Sequence, residues 1–408
     1  MPHFVIVGAG ECGARAAFLL REKGFEGEIT LIGTEKIAPY ERPPLSKGGS
    51  GDAPEPKFVA TLERYQEQSI DLRLDATVTA IDAACKTISL ADGQRLHYDK
   101  LLLATGATAR SLPGVDGISR RIRMLRTHAD AVALHTGLHP GRHIAIIGGG
   151  FIGLEFAATA RLRGADVTVI EGLPRVLKRS VPEEIAEAIA ERHRQEGASI
   201  RCGQSIQAVQ EDADKIVVRL ANGEIISADL LLVGIGALPN IALAAQAGLV
   251  IDNGIAVNER LETSIADIYA AGDCCSFPLA LYGGRRVRLE SWRNAQEQAH
   301  LAAANMLGEG AEISAVPWFW SDQYDLTLQI AGLADEATVH VRRDLDDGAF
   351  ILFHLSADGR LLAASGIGRG NAIARDIRLA EMLIAARAHP DHNALAASTV
   401  KLKSLLAA

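Results

Sequence analysis

Two short apolar runs set the plan of this chain. At 4–7 the sequence FVIV reads as a buried strand that breaks at Gly8, Gly10 and Gly13, opens a helix over 14–23 ended by Gly24, and returns to a strand at 28–33. At 144–147 IAII repeats the pattern: Gly148, Gly150 and Gly153 interrupt it, a helix runs through 163, and a strand follows at 166–171. Each is a complete βαβ unit.

The halves stay parallel afterwards. The first continues with a helix at 62–68, strands at 71–74, 77–80 and 87–90, an Asp92-Gly93 hairpin turn and a buried strand at 100–105. The second continues with a helix at 183–195, strands at 216–220 and 229–234, and an Asn222-Gly223 turn between them, after a helix at 130–138 that precedes its apolar run. LLLATG and LLLVGIG close the two halves, so the chain is an internal duplication in plan. Between the first βαβ unit and the 62–68 helix lie the proline-rich TEKIAPYERPPLSK and a polar, flexible stretch at 48–56. A short strand at 268–273 and a helix at 294–307 follow the second half. From 322 the pattern becomes strands at 326–330, 338–342, 350–355 and 361–365 with a helix at 372–386, a separate α+β domain.

The glycine spacing carries chemistry. In such a turn the first glycine permits the bend, the second lets backbone amides reach a pyrophosphate, and the third lets helix and strand pack closely. One such motif is weak evidence; two, each inside a βαβ unit, imply two bound dinucleotides. Gly366, Gly368 and Gly370 have the wrong spacing for a third cradle and read as a turn before a helix. His135 and His139, four apart with no third ligand nearby, read as a surface pair, and no metal site is expected.

Composition narrows the classes further. With 48% hydrophobic and 23% charged residues, the 408-residue chain is an ordinary globular protein of two or three domains. A net charge of −8 offers no general field for nucleic acid. The longest apolar stretch, 230–251, is broken by Gly234, Gly236, Pro239 and Asn240, and no secretory leader is readable, so a cytoplasmic protein without a membrane span is expected. Five cysteines form no C-x-x-C pair. Cys12, Cys274 and Cys275 are expected to be structural and reduced, which removes a dithiol relay.

Taken together, GAGECG, PYERPPLSK, LLLATGA, LRT at 125–127, GGGFIGLEFAATAR, VGIGALPN, YAAGD, LESWRNAQEQA and PWFWSDQ resemble the flavin-dependent ferredoxin reductases of bacterial oxygenase systems. The resemblance implies an α/β fold with two Rossmann-like dinucleotide-binding domains, glutathione-reductase-like, plus the C-terminal α+β domain. It implies FAD in the first cradle and NAD (as NADH) in the second. The FAD-binding domain is then split, 1–109 and 239–320, around an NAD-binding domain at 110–238, with the last domain at 321–408. The acceptor is an iron–sulfur ferredoxin, and the chain is a monomer or weak homodimer.

Site residues follow from the same resemblance. Gly8, Gly10, Gly13, Lys47, Val78, Arg126, Asp273 and Trp292 contact FAD. Thr34 stands where relatives carry an acid for the adenosine ribose, and Glu35 is next to it. Gly148, Gly150, Ile152, Gly153, Glu155, Glu171, Arg179, Gly236 and Glu290 complete the dinucleotide contacts. Lys47 and Glu155 are expected to meet beside the flavin, with Trp320 lining the electron exit. Glu171 ends the strand 18 residues after Gly153, where a carboxylate favours NADH over NADPH, and Arg179 is read as holding NADH. The basic groups Arg285, Arg286, Arg288 and Lys401, Lys403 are candidates for docking the acceptor. The same scaffold also suits a reductase of a small molecule such as a quinone or monodehydroascorbate.

Overall fold

A computed structural model describes residues 1–48, 54–115, 119–212 and 214–406; the core of the polar stretch read at 48–56 lies outside the described residues. The chain forms two compact units.

One unit comprises Met1–Arg42, Pro56–Thr108 and Leu238–Pro317. Its centre is a five-stranded sheet in the order Ile268–Ala270, Lys100–Leu103, His3–Val7, Glu28–Ile32, Ile70–Arg73. Every neighbouring pair is parallel, with Val5 opposite both Thr30 and Leu101. Strands buried on both faces need unbroken apolar runs, which is why FVIV and KLLL were legible. The helix Glu11–Glu22 packs on the helix Trp292–Met306. Ala14, Ala16 and Ala17 on one and Ala299, Ala302 and Ala303 on the other are fully buried, and small side chains let the two backbones come close.

The other unit comprises Pro43–Glu55, Ala109–Ala237 and Trp318–Ala408. Its parallel sheet runs Ser199–Cys202, Asp166–Glu171, His143–Ile147, Leu230–Val233, Ile122–Arg123. An antiparallel meander, Ile206–Glu211, Ile216–Leu220 and Ile225–Ala228, covers part of it with Ile216, Val218 and Leu220 in the core. The last part of the chain is a five-stranded antiparallel sheet, ordered Trp318–Gln323, Leu326–Gly332, Leu361–Arg369, Phe350–Leu355, Val339–Asp344, with the helix Ala374–Ala385 against it.

The duplication extends to individual side chains. The strand that leads into each glycine turn begins with histidine, His3 or His143, whose Nε2 lies 2.9 Å from the Oγ1 of Thr30 or Thr168 on the neighbouring strand. The same histidines' backbone amides donate to Asp99 at 2.6 Å and to Asp229 at 2.9 Å. Each sheet is thus locked in register at the edge away from its glycine turn.

Two expectations are corrected. Gly366 and Gly368 lie inside the strand Leu361–Arg369, not in a turn. A Cβ on Gly366 would stand 3.1 Å from Ile351 and Ile377, and one on Gly368 2.7 Å from Ala349, so these glycines make room for packing, and Gly370, at φ +51°, makes the turn. His135 is not on the surface. It is 2% exposed, and its Nε2 donates to the Leu45 carbonyl at 3.1 Å, pinning the short 3₁₀ turn Pro43–Ser46 from the end of the helix His128–His135.

Two expected outcomes follow from this packing. Arg343, 3% exposed, donates to the carbonyls of Leu395, Ala397, Ser398 and Val400 at 2.8–3.2 Å and faces Asp376 at 3.3 Å. Arg343→Met leaves these acceptors and a carboxylate unpaired and should cost about 3 kcal/mol. Hydrogen exchange should show the loss as faster exchange over 395–400, ahead of the rest of the chain.

His135 concerns acid. Burial pushes its imidazole down to about 4 from the ordinary 6.5, and its Nδ1 is buried without a partner among the described residues. The unfolded chain therefore takes up this proton first. The contribution to stability is complete above about 6.5 and is lost as pH falls from there to about 4, with buried His354, also held down to about 4, adding in the same direction. Urea midpoints across that range should fall less steeply in His135→Gln, which keeps an N–H donor but does not titrate.

Candidate functional site

The two glycine turns are built to nearly the same dimensions. Gly8 has φ +115°, and a Cβ there would stand 2.1 Å from the Ala104 carbonyl oxygen; one on Gly13 would stand 2.0 Å from the Gly8 carbonyl oxygen. In the second turn Gly148 has φ +109°, with the corresponding clashes at 2.3 Å from Gly234 for Gly148 and 2.1 Å from Gly148 for Gly153. No side chain fits at any of these four positions. The middle glycines differ: a Cβ on Gly10 or Gly150 would meet nothing within 4 Å. Each is the N-cap of its helix, and neither supplies a side-chain cap. The first amides of both helices are thus left for an anion that approaches over a glycine, and a dinucleotide pyrophosphate fits this cradle in both units.

Each unit also carries a singled-out glutamate, Glu35 or Glu171. In the first unit Glu35 accepts from Arg42 Nη2 at 2.7 Å and from the Tyr40 hydroxyl at 2.6 Å. Burial opposes the Arg42 charge, but Tyr40 and Glu35 outweigh it and hold the guanidinium above its ordinary range. Arg42 was not among the residues singled out from the sequence, although it sits inside ERPPLSK; its partner is seven residues earlier, across a proline-rich loop with no period to read. In the second unit Glu171 Oε2 accepts from the Gly149 amide at 2.7 Å and Oε1 from the Leu173 amide at 2.8 Å. Two backbone donors orient the carboxylate and leave lone pairs on both oxygens for hydroxyl groups. Arg175 is turned onto the carbonyls of Val176 and Val181, at 3.2 and 2.8 Å, while Lys178 and Arg179 are exposed.

The remaining candidates are placed as follows. Val78 is buried at the start of its strand, opposite Leu90. Asp273 follows Gly272, whose amide donates to Gln298 at 2.7 Å. Trp292 opens its helix, capped by the Ser291 hydroxyl. Glu290 pairs with Arg288. The Arg126 amide donates to Asp130 at 3.2 Å, next to a capping box at Thr127. Ile152, an apolar side chain, is 46% exposed in the first turn of the second cradle helix, and Gly236 has φ +104°.

Three of the five thiols, Cys12, Cys274 and Cys275, are buried, whereas Cys85 is exposed. All five cysteines are free, and burial raises Cys12, Cys274 and Cys275 above the ordinary thiol range. Arg286 donates to the carbonyls of Ser276 and Val257 at 2.6 and 3.0 Å, and the Arg288 side chain is 13% exposed. These two arginines brace the framework, and Arg286 remains exposed. Lys401 and Lys403 are exposed.

A polar cluster gathers round Lys47. It follows the turn Pro43–Ser46, whose Leu45 carbonyl is held by His135 and whose Ser46 carbonyl accepts from Thr159 Oγ1 at 3.0 Å. Lys47 Nζ lies 3.8 Å from Glu155 and 3.0 Å from Asp322. Glu155 is 7% exposed and accepts from Ser321 Oγ at 2.6 Å and from Ser46 Oγ. Burial raises its carboxyl above the usual range, against the opposing pull of Lys47 and both serines. Trp320 completes the group, its ring centroid 5.1 Å from Lys47 Nζ and 5.5 Å from that of Trp318. Lys47, Glu155 and Trp320, far apart in sequence, are thus neighbours.

Comparison with known proteins agrees with this architecture. Residues 2–299 match the pyridine nucleotide-disulphide oxidoreductase family and residues 318–406 the reductase C-terminal domain. The chain is 42% identical to the ferredoxin–NAD(+) reductase component of the anthranilate 1,2-dioxygenase system of Burkholderia cepacia, covering 99% of each. It is 38% identical to putidaredoxin reductase of Pseudomonas putida over 100% of this chain and 97% of that one. Among solved structures, the covalent putidaredoxin reductase–putidaredoxin complex matches with a TM-score of 0.94 at 36% identity, covering 100% of this chain and 98% of that chain. These matches make the chain a member of the pyridine nucleotide-disulphide oxidoreductase family, in the group of ferredoxin–NAD(+) reductase components of oxygenase systems.

Proposed function

We propose that this protein is an FAD-containing reductase that takes electrons from NADH and delivers them to a two-iron, two-sulfur ferredoxin serving an oxygenase. The observation that carries the reading is the pair of dinucleotide cradles in a chain whose sequence has no C-x-x-C pair. The sequence has no C-x-x-C pair to receive the electrons, so an outside acceptor takes them. Bound FAD supplies the conversion between a two-electron donor and one-electron acceptors. The protein's own work is to bind, orient and exclude water, and hydride passage needs no side chain to move a proton.

In this reading Gly8, Gly10 and Gly13 with Glu35, Val78, Arg126, Asp273 and Trp292 hold FAD, and Gly148, Gly150, Ile152, Gly153, Glu171, Arg179, Gly236 and Glu290 hold NADH. Lys47 and Glu155 adjust the flavin, and Trp320 serves the exit. The segments 1–109 and 239–320 form the FAD-binding domain, 110–238 the NAD-binding domain and 321–408 the C-terminal domain. Five free thiols suit the reducing cytoplasm. No helix among the described residues is long and apolar enough to cross a membrane.

The purified protein should be yellow, with one FAD per chain. Stopped-flow mixing of the NADH-reduced protein with a panel of small ferredoxins should give fast, salt-sensitive reoxidation by at least one. Slow reoxidation by all of them, with rapid turnover of a quinone, would replace the ferredoxin with a small-molecule acceptor.

Glu171 should set the choice of nicotinamide dinucleotide. Its carboxylate suits two ribose hydroxyls, whereas each phosphate charge of NADPH at contact costs about 1 kcal/mol even in bulk water. Catalytic efficiency should therefore favour NADH by at least about tenfold. Glu171→Ala should weaken NADH and narrow that ratio together. Equal efficiencies in the parent protein would assign the choice to Lys178 and Arg179.

A further inference from the structure

Lys47 faces two carboxylates held by one strand. Along Trp318–Gln323 side chains alternate between faces, so Trp318, Trp320 and Asp322 share one and Phe319, Ser321 and Gln323 the other. Ser321 holds Glu155, whose Oε1 is 3.8 Å from Lys47 Nζ. Asp322 stands closer and makes the direct hydrogen bond, Nζ to Oδ2, at 3.0 Å. That same oxygen accepts from the indole Nε1 of Trp320 at 3.1 Å. The other oxygen accepts from Thr327 Oγ1 at 3.0 Å, on the adjacent strand and directly opposite in register.

Three donors from three places therefore converge on one carboxylate. A partly exposed ion pair alone contributes little. Here the carboxylate is fixed by its neighbouring strand, whereas Lys47 carries its charge on a flexible four-carbon stem and Trp320 has a rotatable ring. Whatever fixes Asp322 fixes both. Glu155 does not replace it: its Oε1 stands 3.8 Å from Nζ, beyond hydrogen-bond distance.

We propose that Asp322 is a positioning residue that holds the Lys47 ammonium and the Trp320 indole in a single arrangement. The proposal rests on the reading above in which Lys47 adjusts the flavin and Trp320 serves the electron exit. Asp322 acts through these two side chains, and its loss is felt only where they are present.

Asp322→Asn tests this in the flavin-loaded protein, because it keeps the size and an acceptor oxygen while removing the charge. Two readouts are needed. The first is independent of turnover: acetylation of Lys47 by an amine-directed reagent, followed by mass spectrometry, should be several-fold faster in Asp322→Asn and return toward the parent rate in Asp322→Glu. The second is the rate of flavin reduction by NADH. It should fall about tenfold in Asp322→Asn, while the same change made in Lys47→Met should add less than about twofold.

Unchanged acetylation would overturn the proposal, since Asp322 would then not hold the ammonium. Equal slowing in both backgrounds would also overturn it, by making Asp322 act independently of Lys47. If Lys47→Met leaves flavin reduction untouched, the assigned role of Lys47 falls and the proposal with it; the acetylation result then still reports whether the ion pair itself holds.

Discussion

The structure depends on close approach of backbone to backbone at four glycines. At Gly8, Gly13, Gly148 and Gly153 a carbonyl oxygen occupies the place where a Cβ would be, 2.0–2.3 Å away. That crowding draws each cradle helix over the end of its strand and aims its first amides across the middle glycine. The apolar ladders set where the strands run. The glycines set where the helices start. The internal duplication follows from the same constraint met twice. Even the far edges agree, through the matched locks of His3 with Thr30 and Asp99 and of His143 with Thr168 and Asp229.

What could be read from the sequence was what repeats at short range. Buried parallel strands announce themselves because both faces need apolar residues, and the glycine turns because their spacing is fixed by geometry. The meander strand Ile206–Glu211 escaped notice because, at a partly exposed edge, it carries Gln207, Gln210 and Glu211 among its apolar positions. Gly366 and Gly368 looked like a turn because glycine reports either a bend or a tight contact, and only the facing Ile351, Ile377 and Ala349 distinguish the two.

Side chains that act at long range were the least legible. His135 looked like one half of an exposed pair until the Leu45 carbonyl, ninety residues away, was seen to receive its N–H. Asp322 lies inside a motif quoted for its aromatics, yet its meaning depends on Lys47, 275 residues earlier. No local pattern carries such a pairing. The pairing of Lys47 with Glu155 was readable only because each belongs to a motif known to be shared with relatives, not because charge or spacing required it.

The turn that carries Lys47 is gripped by its carbonyls. His135 holds the Leu45 oxygen and Thr159 the Ser46 oxygen, so the two anchors recognise backbone rather than side-chain identity. The instruction for where the ammonium sits is therefore written about a hundred residues downstream of the lysine itself. Transplanting PYERPPLSK into another scaffold would carry the letters without the address. A designer seeking the same cation placement would have to move the histidine, the threonine and Asp322 with it, and keep Ser46, which ties the loop to Glu155.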